Sequence, residues 1–206
     1  VAELENIRKR AARDVEQAIA LAPTHIAHYQ LTIEPNTAFA ARPPTLPDSD
    51  AAWDMQEHCQ QLLADAGYAQ YEISAYAQAG RRSRHNLNYW NFGDYLGIGA
   101  GAHGKLSFPH RVVRQVRWRD PATYMARALA GDAITQDHEV TREDLPFEFM
   151  LNALRLTAGF TLASFCERTG LSLSAIRSGL AEAERRGLIE RDLQRELWRS
   201  ADYREG

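Results

Sequence analysis

The chain of 206 residues holds two cysteines, three methionines and no apolar run approaching 18 residues. Each scarcity removes a class of protein. Cys59 and Cys166 stand 107 positions apart, which excludes a disulfide framework or a metal knuckle. Both sit among apolar residues at helical spacing and read as buried free thiols. Neither a basic-then-apolar leader nor a membrane-length run is present, so a soluble cytoplasmic protein is expected. Val1 stands where an initiator methionine would, and the chain opens directly into a charged helical pattern, as a piece of something longer would. A net charge of -3 gives no global reason to expect nucleic acid. With 45% hydrophobic and 25% charged residues the composition is that of a globular protein of one or two domains.

The richest stretch is Arg84 to Lys105, RHNLNYWNFGDYLGIGAGAHGK. His85, Asn86 and Asn88 offer polar ligands or donors, and Tyr89, Trp90 and Phe92 offer flat rings. Glycines at 97, 99, 101 and 104 let the backbone approach a ligand or another backbone closely. Eight basic residues lie between Arg81 and Arg119 against the single acid Asp94, a local excess that would attract an anion or form a solvated face.

Periodicity divides the chain. Leu4, Ile7, Ala11, Val15, Ala18 and Ile19 predict a helix over 3–20, and His25 to Ile33 a strand. Asp48, Ser49 or Asp50 caps a helix carrying Met55, Cys59, Leu62, Leu63 and Ala66 and ending at Gly67. Tyr68 to Ala77 and Tyr95 to Ala100 read as further strands, and strands alternating with helices imply parallel βαβ units. After Arg119 the pattern turns helical. Pro121–Leu129 is one helix, and Thr141–Asp144 resembles a capping box before the stripe Phe147, Met150, Leu151 and Leu154. Thr161–Gly170, a last helix from Ser172 or Ser174, and a hairpin from Leu188 give a winged-helix outline. The expected boundary lies at 117/118.

Three readings of function compete. Gly99-Ala-Gly-Ala-His-Gly104 is a literal G-x-G-x-x-G, but the dinucleotide fingerprint needs a helix opening at its third glycine. Here Lys105-Leu-Ser-Phe-Pro109 follows, with β-branched Val112, Val113 and Val116 beyond it, and no helix starts. A DNA-reading winged helix would use Arg177, Arg185 and Arg186, yet Glu182 and Glu184 share that helix, which suits a structural module better. In the third reading the 84–105 stretch holds a large flat anion. His85 would ligate iron, Tyr89 and Trp90 would stack on a macrocycle, and arginines would pair with its carboxylates. Alternatively His85 bonds a loop and Trp90 is core.

The run His85-Asn-Leu-Asn-Tyr-Trp90 followed by Gly93-Asp-Tyr-Leu-Gly-Ile-Gly-Ala-Gly-Ala-His-Gly104 closely resembles the HemW family of radical-SAM heme chaperones. Tyr29–Thr37, Tyr71–Ser74 and Phe147–Leu156 resemble the same family in the same order. The resemblance implies an α/β architecture. Residues 1–117 would be the C-terminal part of a radical-SAM partial TIM barrel, and 118–206 a mostly helical, winged-helix-like C-terminal domain.

The same resemblance implies heme binding by His85, Asn86, Tyr89 and Trp90, with His85 on the iron. It places S-adenosylmethionine contacts at Thr32 and at Gly101, Ala102 and His103, toward strand ends where barrel enzymes build sites. Heme and heme-acceptor proteins would be the partners, with no nucleic acid. The family's C-x-x-x-C-x-x-C run, which holds a 4Fe–4S cluster through thiolates, is absent here, so this chain alone is expected to do no radical chemistry. The tail from Leu197 to Gly206 reads short for the family, and a sheet lacking its earlier strands would expose an edge for self-association. The alternatives are an oxygen-independent coproporphyrinogen III oxidase, whose characteristic run is missing, and a non-catalytic winged-helix interaction module.

Overall fold

The computed structural model describes residues 2–193 and 196–201, with side chains from residue 5 onward. The side chain of Leu4 and the tail beyond Ala201 lie outside the described residues. The chain forms two compact units, Val1–Ser83 and Arg84–Gly206. The change of character expected at 117/118 falls inside the second unit, directly after a strand.

In the first unit α1 (Ala2–Ala20) packs along α3 (Ser49–Asp65). Asp48 starts α3 by accepting the Ala51 amide at 2.8 Å, which satisfies one of the free donors of its first turn. Gly67, at φ 84, follows its end. Val15, Ile26, Cys59, Leu63, Tyr68 and Tyr76 make the core, with Ala11, Ala18 and Ile19 of α1 against it. A short α2 (Ala38–Ala41) is capped by Thr37.

Three expectations are corrected here. The first strand, β1, runs only over His25–Ala27, and beyond it Tyr29 and Leu31 are exposed, so the apolar alternation to Ile33 does not line a sheet. Tyr68–Ala77 is not one strand but a hairpin of β2 (Ala69–Glu72) and β3 (Ala75–Ala77), turning at Ile73 and Ser74. The sheet order is β1-β3-β2 and every pair is antiparallel, not the parallel pairing that element spacing suggested.

The second unit opens with α4 (Arg84–Trp90) and then a meander of β4 (His103–Phe108), β5 (Arg111–Arg117) and β6 (Ile134–Glu139), with α5 (Pro121–Leu129) between the last two. Tyr95–Ala100 is loop, not strand. Within it only Tyr95 pairs, in a lone bridge to Lys105, and Gly99 and Gly101 take φ 111 and 70, values that break an extended run.

There follow α6 (Leu145–Ala153), β7 (Phe160–Thr161), α7 (Leu162–Thr169), a 3-10 turn (Leu173–Ala175), α8 (Arg177–Arg185), β8 (Ile189–Asp192) and β9 (Leu197–Ser200). Thr161 caps α7 at its start and Gly170, left-handed at φ 68, ends it. The sheet β7-β9-β8 beside α7 and α8 is the expected winged-helix outline. Around it lies an aromatic core in which Phe92, Phe160 and Phe165 each meet Phe149 edge-on, at 5.3–5.7 Å. Of the expected α6 stripe, Met150 and Leu154 pack against the core, but Phe147 and Leu151 do not. Leu145, Phe149 and Ala153 face inward, while Phe147 and Leu151 are 69% and 62% exposed.

Candidate functional site

The 84–90 segment is a helix of seven residues, and spacing of four places His85 and Tyr89 on one face. Their rings meet edge to face, centroids 4.8 Å apart at 67°. Tyr89 packs in turn on Tyr95, 4.2 Å away. The Tyr95 hydroxyl accepts a hydrogen bond from Arg114 Nη1 at 2.9 Å, and Arg114 donates through Nε and Nη2 to Glu148 Oε2 at 3.0 and 2.6 Å. His85 is exposed at the end of this series, and Asn86, Tyr89 and Trp90 are half-buried. The structure therefore brings His85 and Tyr89 together as the sequence suggested and adds Tyr95, Arg114 and Glu148, whose sequence separations hid them.

Trp90 plays a different part from Tyr89. The Arg155 guanidinium lies 4.2 Å from its ring centroid, and the Trp90 Nε1–H is buried with no hydrogen-bond partner among the described residues. Asn88 is a stitch at the helix end. Its Nδ2 donates to the Asp94 carbonyl at 2.8 Å, and its own carbonyl accepts the Gly93 amide at 2.7 Å.

Lys105 anchors the following loop from inside. It is 1% exposed, and its ammonium donates to the Phe92 carbonyl, Asp94 Oδ1 and Ser107 Oγ at 2.9–3.0 Å. Burial pushes its pKa down, against the pull of the Asp94 carboxylate.

Of the glycines that suggested a ligand, Gly97 and Gly104 face the protein's own backbone, whereas a Cβ on Gly99 would meet nothing within 4 Å. A Cβ on Gly97 would lie 2.5 Å from the His103 carbonyl oxygen. Arg117 Nε donates to the Gly97 carbonyl, and the Gly99 amide donates to the Tyr124 hydroxyl. The G-x-G-x-x-G match leads into strand β4, so no helix N-terminus is there to hold a pyrophosphate. The basic surplus is also partly consumed, since Lys105, Arg114 and Arg117 serve these internal contacts. In α8, Arg185 is likewise forked onto Glu182.

The residues expected to contact S-adenosylmethionine fall in both units. Thr32 is exposed in the loop after β1 of the first unit. In the second, the Gly101 amide donates to the Trp118 carbonyl and the Ala102 amide to the Gly99 carbonyl, so these donors are already engaged, while the His103 side chain is exposed. The first unit also holds a cavity of about 510 Å³, into whose lining His28, Leu31, Met55 and Cys59 enter. Burial holds the His28 pKa below its ordinary value. No group of three His, Cys, Asp or Glu suited to a metal occurs among the described residues. Cys59 is buried in the first core and Cys166 packs against the second, so the residues present do not fit an iron–sulfur cluster.

Residues 140–195 match the HemN C-terminal domain. The heme chaperone HemW of Haemophilus influenzae is 52% identical over 171 residues, covering 82% of this chain and 44% of that protein. The heme chaperone HemW of Escherichia coli is 48% identical over 182 residues, covering 88% of this chain and 47% of that one. The chain belongs to the HemW family. This HemW-family chain spans about half the length of the curated relatives it matches.

Its fold is shared with coproporphyrinogen III oxidase (HemN) from Escherichia coli, described as a radical SAM enzyme. The TM-score is 0.62 over 89% of this chain and 45% of that one. At 16% identity that likeness speaks to the α/β fold alone. No helix among the described residues is long and apolar enough to cross a membrane.

Proposed function

We propose that the His85–Tyr89 face of α4 receives heme, as part of a heme chaperone of the HemW type that passes its cargo to acceptor proteins in the cytoplasm. The observation that carries this reading is an exposed imidazole braced by a tyrosine that is itself packed on a second one. A neutral imidazole nitrogen is a good ligand for heme iron. The Tyr89 ring offers an apolar flat surface, and the exposed Arg84, one residue before His85, offers a guanidinium to a propionate. Half-buried Asn86 and Trp90 complete the set of residues proposed to contact heme. Relatives that share this sequence at 48% and 52% identity are named heme chaperones. Likeness to the coproporphyrinogen oxidase is of fold alone and lends that second reading no residue.

An iron–sulfur cluster and S-adenosylmethionine belong to the same proposal only for a longer chain, because the cluster thiolates are not in this sequence. The chain by itself is thus a cargo-binding body without radical chemistry.

Heme titration followed by absorbance tests the proposal. Saturable binding with a Soret shift is expected for this chain, weakened at least about tenfold in His85→Ala, since losing even an outer-shell partner of a metal ligand costs about ten- to a hundredfold. Equal binding in both proteins would remove His85 from the iron.

A further inference from the structure

We propose that Glu148, acting through Arg114 and Tyr95, is a positioning residue that sets the orientation of the His85 imidazole. The inference rests on the reading of the His85 face as the heme site and names how that face is held.

The case begins with α4 itself. Seven residues are too few to be a stable helix in isolation, so its geometry comes from what packs against it. An exposed histidine also carries side-chain freedom that ligation must remove. On the His85 face the packing is a single series. Tyr89 meets the imidazole at 4.8 Å, and Tyr95 meets Tyr89 at 4.2 Å.

The Tyr95 backbone is held by its bridge to Lys105, but its ring needs an anchor of its own. Arg114 of β5 supplies it with a 2.9 Å hydrogen bond to the hydroxyl. Arg114 is fixed in turn, because two of its nitrogens converge on one Glu148 oxygen of α6. Both members of that pair are only about a quarter exposed, at 22% and 25%, so water screens them less than a surface pair. The planar fork of arginine suits this use, since it can grip a carboxylate and a phenol at once. Glu148 lies within the segment matched to the HemN C-terminal domain, so the series links that module to the motif helix inside one compact unit. A histidine oriented before heme arrives loses less freedom on ligation.

A purely structural role, pinning α6 to β5, would leave His85 unaffected, and this separates the two accounts. The protein is labelled with 13C-histidine and the His85 ring signals are assigned with His85→Gln. Tyr95→Phe keeps the ring and removes the Arg114 bond, and Glu148→Gln keeps the shape and removes the charge. Both variants are expected to move the His85 signals toward those of free histidine while the other histidine signals and thermal unfolding stay near wild type. Heme affinity should fall by a factor of about three to ten in each. Tyr95→Phe should cost nothing further when His85 is already Ala.

Unchanged His85 signals in both variants overturn the proposal. So does an equal loss of heme affinity from Tyr95→Phe with and without His85. A wild-type chain that binds no heme defeats the site reading, and the ring signals then decide the positioning role alone.

Discussion

Lys105 Nζ lies 3.0 Å from the Phe92 carbonyl oxygen and 4.0 Å from the centroid of the Phe92 ring, so one buried ammonium closes the turn that follows the motif helix. Phe92 holds φ 55, an unusual value for an aromatic residue, and its side chain is 1% exposed. The ammonium has three donors and finds three acceptors in Phe92, Asp94 and Ser107. Lys105→Met would keep the apolar stem and take the ammonium from all three, leaving Asp94 with only its bonds from the Ser107 hydroxyl and amide. A loss of about 1–3 kcal/mol is expected, the cost of leaving a buried acceptor unsatisfied, because the Asp94 carboxylate left behind is 43% exposed. Denaturant unfolding of the two proteins measures it, and a loss under about 0.5 kcal/mol, the range of ordinary surface substitutions, would show that the knot contributes little.

Asp94 makes the same knot sensitive to acid. Burial works to raise its pKa, but the Ser107 hydroxyl and amide and the Lys105 ammonium outweigh it and hold the carboxyl below its ordinary 3.8. A carboxylate with a folded pKa below its unfolded one stabilises the fold above the unfolded value, and loses that contribution as pH falls through the folded value. Wild type should therefore be more stable than Asp94→Asn at neutral pH, with the difference shrinking below about pH 4. Asp94 is 43% exposed, so the effect is modest. Unfolding midpoints from pH 7 down to 3 check the sign, and a gap that widened in acid would contradict it.

Glycine substitutions separate backbone crossings from open space. At Gly93 a new Cβ would sit 2.1 Å from Asn88 Oδ1 and 2.7 Å from its carbonyl oxygen, and at Gly97 2.5 Å from the His103 carbonyl oxygen. Gly93→Ala and Gly97→Ala are each expected to cost about 2 kcal/mol or more, as for forced backbone shifts in packed sites. Gly179, inside α8, has nothing within 4 Å of its would-be Cβ. Gly179→Ala should stabilise by about 0.5–1 kcal/mol through helix propensity. Thermal unfolding of the three variants tests the ranking, and a destabilising Gly179→Ala would refute the assignment of open helical surface there.

Sequence pattern carried the helices with capping residues and the winged-helix outline, because caps and helical spacing are local. Asp48 caps α3 as the pattern offered, and the helices read from Pro121 and Thr161 start at caps supplied by Asp120 and Thr161. It misread Tyr95–Ala100 as strand because alternating glycine resembles a strand whose neighbour approaches closely. The neighbour is real, the His103 backbone, but the glycines turn the chain away from extension. Phe147 and Leu151 misled the α6 stripe because a helix with apolar residues on several sides has no unique inward face. Of the site, His85 and Tyr89 were legible from their imidazole and ring chemistry and from the motif they share, but the short helix that sets them on one face was not. Tyr95, Arg114 and Glu148 were not, since their contacts join residues up to 34 positions apart and depend on how β5 meets α6.

The two cysteines offer a reading of each unit separately. Cys59 is 1% exposed beside Leu63 in the first core, and burial pushes its thiol pKa up, so it has little thiolate and little access. Cys166 is half-buried on α7 in the second unit. Under native conditions an alkylating reagent should modify Cys166 first, and Cys59 only through opening of its core. Mass spectrometry of labelled peptides across a urea series then reports loss of Cys59 protection for the Val1–Ser83 unit and full exposure of Cys166 for the Arg84–Gly206 unit. If the first unit holds its core as described, Cys59 protection persists well into the series. Modification of Cys59 as fast as Cys166 without urea would mean that the packing of α1 on α3 does not close that core in solution.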